Sequence, residues 1–311
     1  MAIDIADPDV RDISLFREVE ACAGKWATEA GELLASRARN LLHVEYKGGL
    51  RSDPVSEADR EAEEYLYRAV IRHFPDHRVL GEEGRDPGPE GAPIVWVIDP
   101  LDGTANYLNG LALWCVSIGV LWHGVPIAGA IWAPLGIDGT PALFSARRGG
   151  GTRVNGHRVT VDPRAELLPS RLAALPAPYQ AEIARRGEAR GRGEVRTLGS
   201  IALELALTSC GALQFSAFWV PRIWDVAGGV CLCLEAGGQV MYRAPGTRDW
   251  TPLRGFDAPS SGQGLRGWNG AILAANPVLA NELVARIRDG IDPFGNNRGP
   301  AQTAPRGDKG A

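Results

Sequence analysis

Residues 94–104 read Ile-Val-Trp-Val-Ile-Asp-Pro-Leu-Asp-Gly-Thr, an unbroken apolar run that ends in an acid, a proline and a second acid. A strand that is apolar without alternation is buried on both faces, so it belongs inside a layered structure and not on a half-solvated sheet. Asp99 closes the run, and Pro100 is expected to force a turn because proline fixes φ and has no N–H to donate. Asp102 then falls on the same side of that turn as Asp99. At about 4 Å and an effective dielectric near 20, two such carboxylates repel by roughly 4 kcal/mol. A hard divalent cation relieves that repulsion with oxygen ligands alone. Gly103 and Thr104 open a short helix, whose free N–H groups beside a glycine make a seat for a phosphate oxygen. An Asp-rich turn with Asp102 or Thr104 as a helix cap accounts for the same residues without a ligand.

The remaining 300 or so residues of the 311 supply the layers. An amphipathic helix spans about Val10 to Leu42, a polar loop covers Tyr46 to Pro54, and Ser56 opens a helix reaching about Ile71. Ser56-Glu57-Ala58-Asp59 reads as a capping box. HRVLGEEG is a short strand ending in a turn. LWCVSIGVLW, GVPIAGAIWAP and PALFSARRG are strands separated by turn residues. Near Gly149 the pattern becomes mixed. SRLAALPA, AEIARRGEA and EVRTLGS alternate strand, helix and strand. The helix IALELALTSCG, the strand LQFSAFWV, a helix near Asp225, the strand GGQVMYRA and the helix ANPVLANELVARI follow. Such alternation predicts an α/β layer architecture, with an N-terminal half over 10–148 and a C-terminal half over 149–290. Residues 291–311, rich in Pro, Gly and polar side chains, have the composition of a disordered tail.

Charge and cysteine usage narrow the function. A formal charge of −4 gives no electrostatic basis for nucleic-acid or membrane binding. The basic stretch Arg185–Arg196 lacks interleaved aromatics and reads as a solvated loop. ARRGGGTRVNG is followed by β-branched residues and lacks a Rossmann context. The polar, acidic start is no signal peptide, no apolar run is long enough to span a bilayer, and five cysteines form no disulfide framework. A cytoplasmic protein with reduced thiols is the expectation, with Cys231 and Cys233 buried as small hydrophobes inside VAGGVCLCLEAGG.

Three further acidic positions have both a bland and a chemical reading. Glu82 and Glu83 stand in the turn GEEG, Asp225 follows Trp224 at a helix start, and Asp59 sits in the capping box. The strings GEEG, WVIDPLDGTANY and WDVAGG, in that order and spacing, resemble the signature motifs of the inositol monophosphatase family. DPVSEAD, ARRGGGTRVNG and AANPVLANELV are similar to further segments of it, so the resemblance covers about Val10 to Ile287. It implies the family's layered αβαβα sandwich, shared with fructose bisphosphatases, and a homodimer. It also implies Mg²⁺-dependent hydrolysis of a small phosphorylated metabolite by metal-activated water.

Carried over residue by residue, the resemblance gives Glu82, Asp99 and the Leu101 carbonyl as ligands of one Mg²⁺. Asp99, Asp102 and Asp225 hold a second, and Glu82 helps with a third. Asp59 and Thr104 orient and deprotonate the water, and Lys47 matches a lysine in a mobile loop of the metal site. Asp102, Gly103, Thr104, Gly199, Ser200 and Asp225 match substrate-binding positions. One departure concerns specificity. Inositol-specific members carry an acid seven positions before the Asp of the WD motif, where this chain has Phe218, which is expected to be a core residue. Inositol monophosphate, fructose 1,6-bisphosphate, histidinol phosphate and nucleotide 3′-phosphates all stay in play, lithium inhibition is implied, and a non-catalytic binding role is the competing class.

Overall fold

The apolar run at 94–99 is the core of the second strand in a seven-stranded sheet. In a computed structural model of the protein, the structure describes residues 10–41, 54–82, 84, 86, 88–175, 194–257 and 264–288. The first sheet holds β1 (Arg78–Gly81), β2 (Ile94–Asp102), β3 (Cys115–Trp122), β4 (Val125–Ala133), β5 (Ala142–Arg147), β6 (Gly151–Val154) and β7 (His157–Val159), side by side in chain order. Only the β1–β2 pair is parallel; the rest is an antiparallel meander. The change of sheet therefore falls after Val159, not at Gly149: the turn residues there join two strands of one hairpin.

The second sheet comprises β8 (Leu172–Ala174), β9 (Glu194–Arg196), β10 (Leu213–Phe218), β11 (Gln239–Arg243), β12 (Thr251–Pro252) and β13 (Ala271–Ala275), in spatial order β12-β11-β13-β10-β8-β9. Helices α1 (Val10–Leu41) and α2 (Pro54–His73) cover the outer face of the first sheet. Helices α4 (Ile201–Ser209) and α5 (Ile223–Glu235) lie between the sheets, after the short α3 (Thr104–Leu108). Helix α6 (Pro277–Arg288) packs on the far side of the second sheet. The result is the αβαβα layering that the sequence led us to expect. Among the described residues, no helix is long and apolar enough to cross a membrane.

Alternation along β2 sorts its side chains between two cores. Trp96 and Ile98 pack with Phe16, Trp26 and Leu66 under α1 and α2. Val95 and Val97 pack with Val226, Val230 and Ile272 around α5. Asp99 has the parity of Val95 and Val97 and so faces the helices between the sheets. Helix α5 can approach this closely because of the small residues in WDVAGG. A Cβ built at Gly228 would lie 2.9 Å from the Ile118 carbonyl, and one at Gly119 would lie 2.6 Å from the Ala227 Cβ.

Two local expectations are corrected. Helix α2 begins at Pro54, a residue suited to a first helical turn, so Ser56 lies inside the helix and the Ser56–Asp59 capping box is not its start. Strand β2 does not end at Asp99 but runs through Pro100 to Asp102. The loop expected over 46–53, the helix over 181–189, residues 185–193 of the basic stretch, Glu83, Lys47 and the tail lie outside the described residues.

Candidate functional site

The pairing of β2 with β3 explains how two carboxylates three residues apart reach one face. Asp99 is opposite Ser117 and Asp102 is opposite Cys115, so three steps on β2 match two on β3. That is a bulge, and proline tolerates it because the extra residue needs no ladder hydrogen bond. In a regular strand, residues three apart point to opposite faces; the extra residue returns Asp102 to the side of Asp99. Gly103 follows with φ 98° and ψ 36°, left-handed values that favour glycine. A Cβ there would sit 2.9 Å from the Leu113 carbonyl and 3.2 Å from the Ser200 Cβ. Tyr107 N–H donates to the Gly103 carbonyl at 3.1 Å, so the N–H groups of residues 104–106 are those left over at the first turn of α3.

Asp102 is gripped from 100 residues away. Its Oδ2 accepts from the Ser200 hydroxyl at 2.8 Å and from the Ala202 N–H at 2.6 Å. Both donors belong to the start of α4, where the helix dipole favours a negative charge. Ser200 is also the N-cap, its Oγ accepting from Leu203 N–H at 3.3 Å. The segment before it is fixed by two residues that the sequence did not single out. Glu204 Oε1 accepts from Leu198 N–H at 2.5 Å, and Asn106 Nδ2 donates to the carbonyls of Leu113 (2.6 Å) and Leu198 (2.7 Å). Gly199 has φ +82°, and a Cβ there would press on Asn106 at 3.0 Å. A lone acid inside IALELAL was the available signal for Glu204; nothing in the string TANYL marked Asn106.

The remaining positions are placed less tightly. Asp225, third residue of α5, uses Oδ2 to accept from the Arg222 N–H at 2.7 Å, a helix-capping contact. Glu82 is exposed on the turn after β1. The Thr104 hydroxyl donates to the Leu101 carbonyl at 3.1 Å and is engaged there instead of with Asp59. Asp59 lies near α3: with burial as the main cause and Arg37 opposing, its charge helps raise the Tyr107 phenol to about 12. Phe218 is buried in the core with Ile223 and Val226, as expected. Cys231 and Cys233 are also buried.

Electrostatics joins the acids that geometry leaves apart. Asp99 is 2% exposed. Burial first, then the charges of Asp102, Glu82 and Asp225, hold its carboxyl well above the usual range, against the Leu101 N–H that donates to Oδ1 at 3.0 Å. Burial and Asp225 push Asp102 up to about 8, opposed by Ala202 and Ser200. Burial pushes Asp225 to about 6, opposed by Arg222. Among the described residues, no three acid, imidazole or thiol side chains stand at ligand spacing. Each aspartate is instead turned onto a protein N–H or O–H through one oxygen. The donor set still fits a hard cation: it is all oxygen, it is mutually destabilised when ionised, and one oxygen each of Asp102 and Asp225 makes no hydrogen bond among the described residues.

Comparison with known proteins shows the family and the fold. The pattern of the Inositol monophosphatase family matches residues 16–289. The chain is 36% identical over 246 residues to the Nus factor SuhB of Xylella fastidiosa, covering 76% of this chain and 82% of that one. It is 33% identical over 274 residues to inositol monophosphatase 1 of Solanum lycopersicum, covering 84% and 92%. The structure of the inositol monophosphatase from Anabaena superposes with a TM-score of 0.68 at 29% identity, covering 88% of this chain and 97% of that one.

Proposed function

The chain belongs to the inositol monophosphatase family, and from that premise we propose that it hydrolyses a small phosphomonoester with Mg²⁺ where the end of β2 meets the starts of α4 and α5. The observation that carries this reading is the buried Asp99 and the half-buried Asp102, brought to one face by the bulge. Asp99 is raised by burial and by the charges of Asp102, Glu82 and Asp225, and Asp102 is raised by burial and by Asp225. Asp99, Asp102, Asp225, Glu82 and the Leu101 carbonyl would hold the cation. Leu101 can do so while accepting from Thr104, because a carbonyl oxygen has two lone pairs. When bound, Mg²⁺ supplies positive charge at the transferring phosphoryl group and lowers the pKa of water. The N–H groups of 104–106 orient the phosphate. Asp59 receives the proton of the attacking water, which the Thr104 oxygen helps orient by accepting from it while the Thr104 hydroxyl still donates to Leu101. Ser200 contributes indirectly, since its hydroxyl is held on Asp102.

Phe218, a buried phenyl ring, cannot accept hydrogen bonds from sugar hydroxyls. Recognition of a polyol by an acid at this position is therefore not part of the proposal. The test is phosphate release from a panel of phosphomonoesters with Mg²⁺ and then with EDTA, repeated with Asp99→Asn. The reading expects turnover with Mg²⁺, none with EDTA, and a loss of roughly 10³-fold in the variant with its fold retained. A silent panel from folded protein would contradict it and would favour a binding role, the alternative raised by the name of the Xylella relative.

A further inference from the structure

Arg266 lies on a short 3₁₀ turn, Gly264–Gly267, far in sequence from every acid of the site. Its Nη2 donates to the Gly81 carbonyl at 2.7 Å, and its Nη1 makes a longer contact, 3.4 Å, with the Glu82 carbonyl. Its guanidinium carbon stands 5.5 Å from the centroid of the Trp224 ring. Gly81 and Glu82 carry one of the acids that raise Asp99, and Trp224 immediately precedes another, Asp225. One cation therefore ties the backbone of the first sheet's acidic turn to the start of α5.

We propose that Arg266 is a positioning residue for the cation site, fixing Glu82 relative to Asp225; this rests on the Mg²⁺ reading above. Two features of the geometry support it. Strand β1 is the edge of its sheet, so a carbonyl at its end needs a partner from outside the ladder. Only arginine offers a planar fork that can donate to adjacent carbonyls while presenting a face to an indole; lysine is a point charge on a flexible stem. The guanidinium also repels a dication, an opposing effect. Arg266 is only partly buried, and salt screens such repulsion over about 8 Å at physiological ionic strength. Loss of the tether acts directly on the turn bearing Glu82, so the tether dominates.

The test titrates Mg²⁺ calorimetrically into EDTA-stripped, full-length protein, with the metal-free melting temperature measured alongside. Arg266→Met is expected to weaken Mg²⁺ binding about tenfold, the scale of an outer-shell loss. Arg266→Lys should fall between it and wild type, with both metal-free melting temperatures close to wild type. Unchanged or tighter Mg²⁺ binding by Arg266→Met overturns the proposal, tighter binding assigning the residue to repulsion. Should the Met variant fail to fold, the Lys variant decides: a severalfold loss supports the tether, and none overturns it. If wild type binds Mg²⁺ and the variants match it, only this inference fails; if wild type takes up no Mg²⁺, the proposed function fails with it.

Discussion

Asp102 and Asp225 both meet the beginning of a helix, but they are held in opposite ways. Asp225 accepts from Arg222, three residues earlier, so its helix fixes it locally. Asp102 sits on the bulged end of β2 and is held by Ser200 and Ala202 from a helix on the far side of the chain. The local contact forms whenever α5 forms. The distant one exists only when the first sheet and α4 are docked, so Asp102 reports on assembly of the layers as well as on its own turn. The bulge at Pro100 determines which face Asp102 shows, and α4 determines where its carboxylate rests.

That difference can be broken or sharpened by mutation. Ser200→Ala removes the hydroxyl on Asp102 and the N-cap of α4 together. It is expected to weaken Mg²⁺ binding roughly 10–100-fold and to lower stability by about 1 kcal/mol, measured by calorimetry and urea unfolding. Arg222→Ala, which keeps the backbone N–H that Asp225 uses, should change Mg²⁺ affinity by less than about threefold. Equal losses in the two variants would erase the distinction between a distant and a local clamp.

A smaller effect is expected at Glu204, which holds the segment before Ser200. Burial pushes its carboxyl up to about 7, against the N–H groups of Leu198 and Gly199. A raised folded pKa means that the native state holds this proton more tightly than the unfolded chain does. The contribution to stability is therefore complete below the ordinary glutamate range and is lost as pH rises through about 7. Glu204→Gln cannot titrate, so its urea-unfolding stability in metal-free protein should fall less steeply between roughly pH 5 and 8 than that of wild type. The same slope in both would assign the pH dependence to other acids.

Much of this arrangement was legible in the sequence because it rests on short-range patterns. The unalternating run at 94–99 marked a strand buried on both faces, and WDVAGG marked the helix start that carries Asp225. Glu82, Asp99 and Asp102 stood out because each adjoins a glycine or a proline at the end of an apolar run, whereas Asp59 and Asp225 were marked only by the motifs around them. What the sequence hid depended on partners. Whether Pro100 makes a turn or a bulge is decided by the register of β3, where Ser117 and Cys115 take positions opposite the acids. Gly149 looked like a boundary because glycine-rich turns join strands within a sheet as readily as they separate halves. Arg266 carried no local signal at all: its contact with Gly81 spans 185 residues and involves a carbonyl, which side-chain identity does not advertise.

The convergence of these acids on one cation is tested most directly by a crystal structure of the protein soaked in Mn²⁺, which gives an anomalous signal where Mg²⁺ would bind. The account predicts an anomalous peak bounded by Asp99 and Asp102, with Asp225 or Glu82 completing the shell and the Asp102 carboxylate still accepting from α4. Full occupancy at another place, with Asp99 and Asp102 left on their protein donors, would contradict it.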